Sequence, residues 1–302
     1  MKLGIGTAQF GLAYGISNRS GQVPPDEVEK ILKDAHGYGI KYIDTAALYG
    51  ESESVLGRCL PNPHAFRVVT KTKHLSHSNR RQIRGEIQSS LQASLDKLRC
   101  ARVYGFLIHR AEDILSTESS AIIDELQAEK AAGMVEKIGV SVYTGAQVDK
   151  ILDKFTPDIV QLPINILDQR LLRSGHLEFL KSKNVEIHAR SVFLQGLLLM
   201  SPEEVPPFLD KAKPHLSKYH AYRQSLGIAA TEAALSFVTN IPEIDVVICG
   251  IENTHQLSEL CVAAVKPCLI RDWSKFALED EEIINPVRWG KTPGHEQRSI
   301  NR

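Results

Sequence analysis

The chain has 302 residues, 43% apolar and 24% charged, with 36 Lys plus Arg set against 36 Asp plus Glu. That length suits one large domain or two small ones, and the zero formal charge excludes a bulk field that would recruit nucleic acid or an anionic membrane. No apolar run approaches the roughly 20 residues needed to span a bilayer. The start Met1-Lys2-Leu3-Gly4 does not read as a signal peptide, and the five cysteines (Cys59, Cys100, Cys249, Cys261, Cys268) form no CxxC pair, so a reducing, cytoplasmic setting is expected.

Short apolar runs alternate with longer amphipathic segments. Lys2–Ala8 reads as a strand, and Pro25–Tyr38 as a helix opened by Pro24-Pro25-Asp26. Ile40–Asp44 is a strand, Ser52–Leu60 a short helix and Arg67–Lys71 a strand. Asn79–Leu98 places Ile83, Ile87, Leu91, Leu95 and Leu98 on one helical stripe. Val103–His109 is a strand, followed by a helix over Thr117–Ala132 stopped at Gly133. Lys137–Ser141, Ile159–Gln161 and Val185–Arg190 are further strands, separated by helices near Ala146–Phe155 and Asp168–Ser182. A Pro-rich, charged stretch covers Ser201–His220, then Ala229–Thr239 is helical, Asp245–Gly250 is the last strand and Thr254–Val265 the last helix. Eight strands each followed by a helix, the strands short and apolar as a doubly buried parallel sheet requires, predict a single-domain α/β fold, the (β/α)8 TIM barrel, over residues 1–266. A doubly wound open sheet is the structural rival. Residues 267–302 read as a C-terminal extension packed on the barrel or partly disordered.

Several local patterns carry no chemistry. Gly4-Ile5-Gly6 is followed by Gly11, two positions too late for a dinucleotide fingerprint, and no short turn into a helix follows. Asn285 stands where a phosphate loop ending in Gly290-Lys291-Thr292 needs its first glycine. His74 and His77 lack further ligands nearby, so no metal site is expected. Asn18-Arg19-Ser20 is a glycosylation sequon without a secretory route.

Barrel enzymes place their working groups at the carboxyl ends of the strands. Those positions hold Asp44, Tyr49 just beyond it, Lys71 and His109. Singly, each has a plain structural reading: a turn cap, a packing tyrosine, a solvated lysine, a satisfied core histidine. Together on one rim they suit proton delivery to an oxygen that gains negative charge as hydride reaches its carbon. A phenol with pKa near 10 is a poor acid at neutral pH, and a neighbouring ammonium is expected to lower it. On this reading Tyr49 is the general acid, Lys71 tunes it, Asp44 keeps Lys71 charged and His109 orients the substrate oxygen.

These residues resemble the aldo-keto reductase superfamily, from Met1 to about Val265. Tyr42-Ile43-Asp44-Thr45-Ala46-Ala47-Leu48-Tyr49-Gly50, with Glu53 and Leu56-Gly57 following, looks like its most characteristic signature, and Val69-Thr70-Lys71 and Leu107-Ile108-His109 match the next two blocks in order. The resemblance implies reduction of an aldehyde or ketone by NADP(H), less often NAD(H), bound at the barrel mouth without a Rossmann domain. Gly139-Val140-Ser141 and Val160-Gln161 resemble blocks whose Ser and Gln touch the nicotinamide amide, although Val142 replaces the usual Asn; Asn165 follows close behind. Ala189-Arg190-Ser191 resembles the strand-seven block, where many relatives stack a Tyr on the nicotinamide; Arg190 is read as reaching a phosphate, reaching a substrate anion or pairing on the rim. Gly6 and Thr7 are added as cofactor contacts, as are Gly250, Glu252, Asn253, Gln256 and Glu259 in the block after the last strand. That block has no Lys or Arg for a 2′-phosphate, and Glu252 would repel one if it faced inward, so NAD(H) stands as the alternative to NADP(H).

Two rival functions remain. One is a lyase or aldolase using Lys71 as a Schiff base, opposed by the carboxylate of Asp44. The other is a weakly active nicotinamide-binding scaffold or sensor. Neither nucleic acid nor membrane is an expected partner; the substrate (sugars, small aldehydes and aromatic ketones are all open) and the oligomeric state are not legible.

Overall fold

The computed structural model describes residues 2–60, 65–75, 79–266, 270 and 272–291. Eight parallel strands close in sequence order into a barrel: β1 (Leu3–Gly6), β2 (Tyr42–Asp44), β3 (Arg67–Lys71), β4 (Val103–Ile108), β5 (Val135–Ser141), β6 (Ile159–Pro163), β7 (Glu186–Arg190) and β8 (Val246–Gly250). The outer layer holds α1 (Pro25–Gly37), α2 (Ser52–Cys59), α3 (Arg80–Leu98), α4 (Ser119–Ala131), α5 (Gly145–Leu152), α6 (His176–Ser182), α7 (Lys213–Ser225), α8 (Ala230–Thr239) and α9 (Thr254–Ala264). The open-sheet rival is excluded by the β1–β8 pairing, in which Leu3 to Gly6 align with Val247 to Gly250.

Local sequence explains most boundaries. The α3 stripe of Ile83, Ile87, Leu91, Leu95 and Leu98 is buried, its first turn is capped by Asn79 accepting from the Gln82 amide, and it stops at Arg99 in the left-handed region. A reciprocal capping box between Thr144 and Gln147 opens α5. Three expectations are corrected. The first strand ends at Gly6, and Ala8–Gly11 is a helical turn, whereas a strand to Ala8 was expected. The helix expected over Asp168–Ser182 is broken into Arg170–Arg173 and His176–Ser182 by Gly175, held at φ 77° where L side chains are strained. The Pro-rich, charged stretch over Ser201–His220, to which no helix was assigned, contains the start of α7, because Pro214 sits in a first turn where no amide partner is needed.

Alternation along the strands sends every second side chain into the barrel. The amino-terminal end is plugged by a polar cluster: Glu186 accepts hydrogen bonds from Tyr104 at 2.7 Å and from Lys137, and pairs with His188 Nε2 at 2.7 Å. Arg67 stacks over Tyr42 and Tyr104. Burial works against the Glu186 carboxylate, but its bonds from His188, Lys137 and Tyr104 outweigh burial and hold its pKa down to about 2. Above this lies an apolar layer of Val69, Leu107 and Ile159. Asp44, Lys71 and Gln161 form the uppermost layer, next to the mouth.

The described part of the C-terminal extension packs beside that mouth, on the segment following β6. The Leu278 amide donates to Leu167 O at 2.8 Å, Gln169 donates to Trp273 O, and Arg170 pairs with Glu281 at 3.0 Å. Ile283, Ile284 and Trp289 are buried.

Gly57 marks the closest approach of α2 to α3, since a Cβ there would lie 2.0 Å from Lys97 O. Backbone atoms cannot give way as a flexible side chain would, so Gly57→Ala should destabilise the fold by about 2 kcal/mol or more. Urea unfolding checks it; a midpoint unchanged from wild type would show that the helices separate freely.

Candidate active site

The four strand-end residues do meet. Asp44 closes β2 and Lys71 closes β3, and the strands pair in parallel, with Asp44 aligned on Val69. Lys71 Nζ donates to Asp44 Oδ1 and Oδ2, each at 2.8 Å, and to Thr45 O at 2.9 Å. These three bonds use all three ammonium protons. Both side chains are almost wholly enclosed, Lys71 at 1% and Asp44 at 5% exposure. Burial holds the Lys71 pKa below its ordinary value, and the charge and hydrogen bonds of Asp44 only partly offset it. Bidentate contact at 2.8 Å identifies the pair as ammonium and carboxylate.

Tyr49 lies half-buried beside this pair, its ring centroid 5.0 Å from Lys71 Nζ. His109 meets that ring edge-on at 5.8 Å. The ammonium therefore reaches Tyr49 through its ring face and its field, its protons being held elsewhere. The expected acidification of the phenol is corrected on this point. Burial raises the Tyr49 pKa, the Asp44 charge raises it further, and Arg190 only partly offsets them. Tyr49 is consequently held in its protonated form.

The loop carrying Tyr49 is fixed by close packing. The Tyr49 amide donates to Ala46 O and the Ser52 amide to Tyr49 O, each at 3.0 Å, and Gly50 sits at φ 55°. A Cβ on Gly11 would lie 2.0 Å from Tyr49 O, so the glycine that misses the dinucleotide pattern is required here as a contact surface. Behind it, Thr7 donates to Asp44 O at 2.9 Å, and the Ser52 hydroxyl bonds Thr7 and Thr45. Glu53 is 1% exposed and accepts from Thr70 at 2.6 Å. Ser52 and Glu53 thus hold the site together from behind it, and Thr7, expected to touch cofactor, is fully buried with its hydroxyl committed to this network.

His109 is pushed down to about 3, chiefly by burial, with the charges of Lys71 and Arg190 and the His74 ring adding to it. The imidazole is therefore neutral at physiological pH, and its buried Nδ1 has no partner. Gln161 is fully buried; its Nε2 donates to Asp44 Oδ1 at 2.7 Å, while its Oε1 has no partner. Ser141 aligns with Gln161 across β5 and β6 and is 4% exposed. Asn165 is occupied in capping: its Oδ1 accepts from Leu167 and Asp168 amides and its Nδ2 donates to Ser191 O. Ser191 is at φ 60°, and its hydroxyl accepts from Arg190 at 3.3 Å. Tyr14 and Tyr143, not singled out in the sequence, stand by the site: burial raises the Tyr14 pKa and the Arg190 charge partly offsets it, and Tyr143 lies under the Arg190 guanidinium. Their signal was position, Tyr143 standing two residues past the end of β5.

The residues after β8 are brought together but largely occupied with one another. Gly6 and Gly250 face each other across β1 and β8. Asn253 accepts from the Gln256 amide at 2.9 Å, Gln256 Oε1 accepts from the Glu252 amide at 2.9 Å, and Glu259 lies 3.8 Å from His255 on an exposed helix face. Glu27 of α1 accepts from the Thr254 amide at 2.9 Å and its hydroxyl at 3.2 Å. A carboxylate thus already caps α9, and the Thr254 amide holds its pKa low. Burial raises the Glu252 carboxyl.

Among the described residues, no group of three or more His, Cys, Asp and Glu is placed to hold a metal ion, and no helix is long and apolar enough to cross a membrane. A nicotinamide carboxamide fits the upper layer on one concrete ground: its N–H donors would satisfy the orphaned, fully buried Oε1 of Gln161. The aldo/keto reductase family model matches residues 2–276. The chain is 27% identical to L-galactose dehydrogenase from Arabidopsis thaliana, over 95% of this chain and 91% of that one. It is 26% identical to D-arabinose 1-dehydrogenase from Saccharomyces cerevisiae, over 44% of this chain and 42% of that one. The fold superposes on a glycerol dehydrogenase from Gluconobacter oxydans with TM-score 0.68, at 21% identity over 91% of this chain and 89% of that one. An aldo-keto reductase from Bacillus halodurans in its holo form gives TM-score 0.72, at 16% identity over 93% and 95%.

The His109 pKa near 3 lies below its unfolded value of 6.5, so the unfolded chain takes up this proton first. Its contribution to stability is present above pH 6.5 and is lost as pH falls from 6.5 towards 3. Replacing His109 with Gln should flatten the dependence of unfolding free energy on pH across that window, as urea titrations at successive pH values would show. An unaltered slope would place the acid sensitivity elsewhere.

Proposed function

The chain belongs to the aldo/keto reductase family, and from that premise we propose that it interconverts a carbonyl and an alcohol, with Tyr49 as the acid that protonates the substrate oxygen. The observation that carries this reading is Tyr49 packed 5.0 Å from a buried ammonium that Asp44 keeps charged. Gln161 and Ser141 would hold a reduced nicotinamide at its amide, and that group would supply the hydride when bound. The chain's own residues do the rest. Burial keeps Tyr49 in the protonated form that a proton donor requires, at the cost of making it a weaker acid. Negative charge that passes to the phenol is stabilised by Lys71 through the shared face of the ring, in a site where such a charge is poorly screened. Neutral His109 offers one N–H to fix the direction of the substrate oxygen. A Schiff base on Lys71 is disfavoured, because its protons are bound by three acceptor atoms and no free amine pair is left to attack. The set of four catalytic side chains likewise argues for turnover over a silent cofactor sensor.

Two relatives named as sugar dehydrogenases support a substrate of sugar size and polarity. Of the two cofactors, the family's habit supports NADP(H), but the charges after β8 favour NAD(H). Residues 250–265 contain no Lys or Arg, and Glu27 already occupies the Thr254 amide. A 2′-phosphate placed there would meet a carboxylate where it needs a cation.

Tyr49→Phe should lower kcat by roughly 10²- to 10⁴-fold while leaving nicotinamide binding intact; turnover close to wild type would remove Tyr49 from its role. Titration of nicotinamide fluorescence should give a lower Kd for NADH than for NADPH, by roughly tenfold or more, as about 1.4 kcal/mol of charge conflict would produce. Equal affinities would refute the charge reading.

A further inference from the structure

Arg190 ends β7 and reaches across the mouth of the barrel. Its Nη2 donates to Val142 O, just past the end of β5, at 3.2 Å, and its Nη1 donates to Ser191 Oγ at 3.3 Å. Strand β6 lies between β5 and β7. The guanidinium therefore lies above β6, over the layer where Gln161 meets Asp44. Its Cζ lies over the Tyr143 ring, 4.2 Å from the centroid. A guanidinium has five N–H donors; two are used, and the Nε–H and one proton on each Nη are left over. Among the described residues, no carboxylate lies within 4.0 Å of it, in contrast to Lys71 beside Asp44 or Arg170 beside Asp168. On the rim Arg190 thus has hydrogen-bonded neighbours but, among the described residues, no ion-pair partner. The 2′-phosphate of NADP sits at the far end of the dinucleotide from the reacting ring, so a cation beside Tyr49 and His109 cannot serve it.

We propose that Arg190 binds a carboxylate on the substrate, so that the carbonyl compound reduced at Tyr49 is an anionic one, such as an aldehyde acid or a sugar acid. This rests on the carbonyl-reducing reading above and narrows its substrate class. Held by two contacts and a ring face, the planar fork is pre-organised for bidentate recognition, which a carboxylate matches and a neutral hydroxyl does not. Its charge also bears on Tyr14, Tyr49, Lys71 and His109, so the same guanidinium that anchors the substrate steadies charge arising at Tyr49.

The test uses succinic semialdehyde and butanal, which share an aldehyde and a four-carbon chain and differ in the carboxylate. For wild type, kcat/KM should favour succinic semialdehyde, and Arg190→Met should collapse that preference ratio by roughly 30- to 100-fold, with Arg190→Lys restoring part of it. Loss of both activities in equal proportion would make Arg190 a positioning residue and overturn the proposal. So would a matching loss of affinity for NADH and NADPH, which would assign the guanidinium to the cofactor diphosphate. If wild type reduces neither aldehyde, the catalytic reading falls, and succinate binding to the NADH-bound protein still decides for Arg190. Binding of succinate but not succinamide, abolished in Arg190→Met, upholds the anion site; equal binding of both by wild type ends it.

Discussion

A buried ammonium locked between both oxygens of one carboxylate is the constraint on which the mouth of this barrel depends. Removing two charges from water costs several kcal/mol per ion, and the cost is recovered only when geometry and further hydrogen bonds are good. Asp44 and Lys71 meet that condition: Thr45 O takes the third lysine proton and Gln161 donates to the carboxylate. The pair also ties β2 to β3, and through Gln161 to β6 across the barrel. Removing either partner would leave an uncompensated charge in the interior, so this is an exacting interaction, and its ammonium stands 5.0 Å from the Tyr49 ring centroid.

Around that pair the site is held by small residues and hydroxyls. Gly11 admits the backbone at Tyr49, and Thr7, Ser52 and Thr45 join β1, β2 and α2 by hydroxyl bonds. Glu53 and Thr70 add a further buried link between α2 and β3. None of these groups needs to touch substrate. They set where the phenol ring stands relative to the ammonium, and the proton transfer proposed for Tyr49 depends on that placement.

The fold was legible because doubly buried parallel strands read as short apolar runs, and Asp44, Lys71 and His109 fall at their ends, where barrel enzymes work. What the sequence hid was decided by competition between neighbours. Gly175 breaks a segment that reads as one helix, and Pro214 begins a helix inside a Pro-rich, charged stretch to which none was assigned. The expectation for Tyr49 named the right neighbours and the wrong winner, because the weight of burial is invisible until the walls are in place. Thr7 and Asn253, expected among the cofactor contacts, also bond partners within the chain, an engagement that sequence does not display.

Two segments at the rim share their fastenings. The Ile16 amide donates to Gln195 O at 3.1 Å, Gly196 packs so closely that a Cβ would strike Ser17, and Arg19 pairs with Glu204 at 3.2 Å. On the β7 side, Ser191, Leu194 and Gln195 all sit at positive φ, a conformation that costs non-glycine residues about 1–3 kcal/mol each. The two segments are therefore fastened to each other across the rim, and the costly backbone of 191–195 is held in part by its contacts with residues 16–19, so loosening either side weakens the support of both.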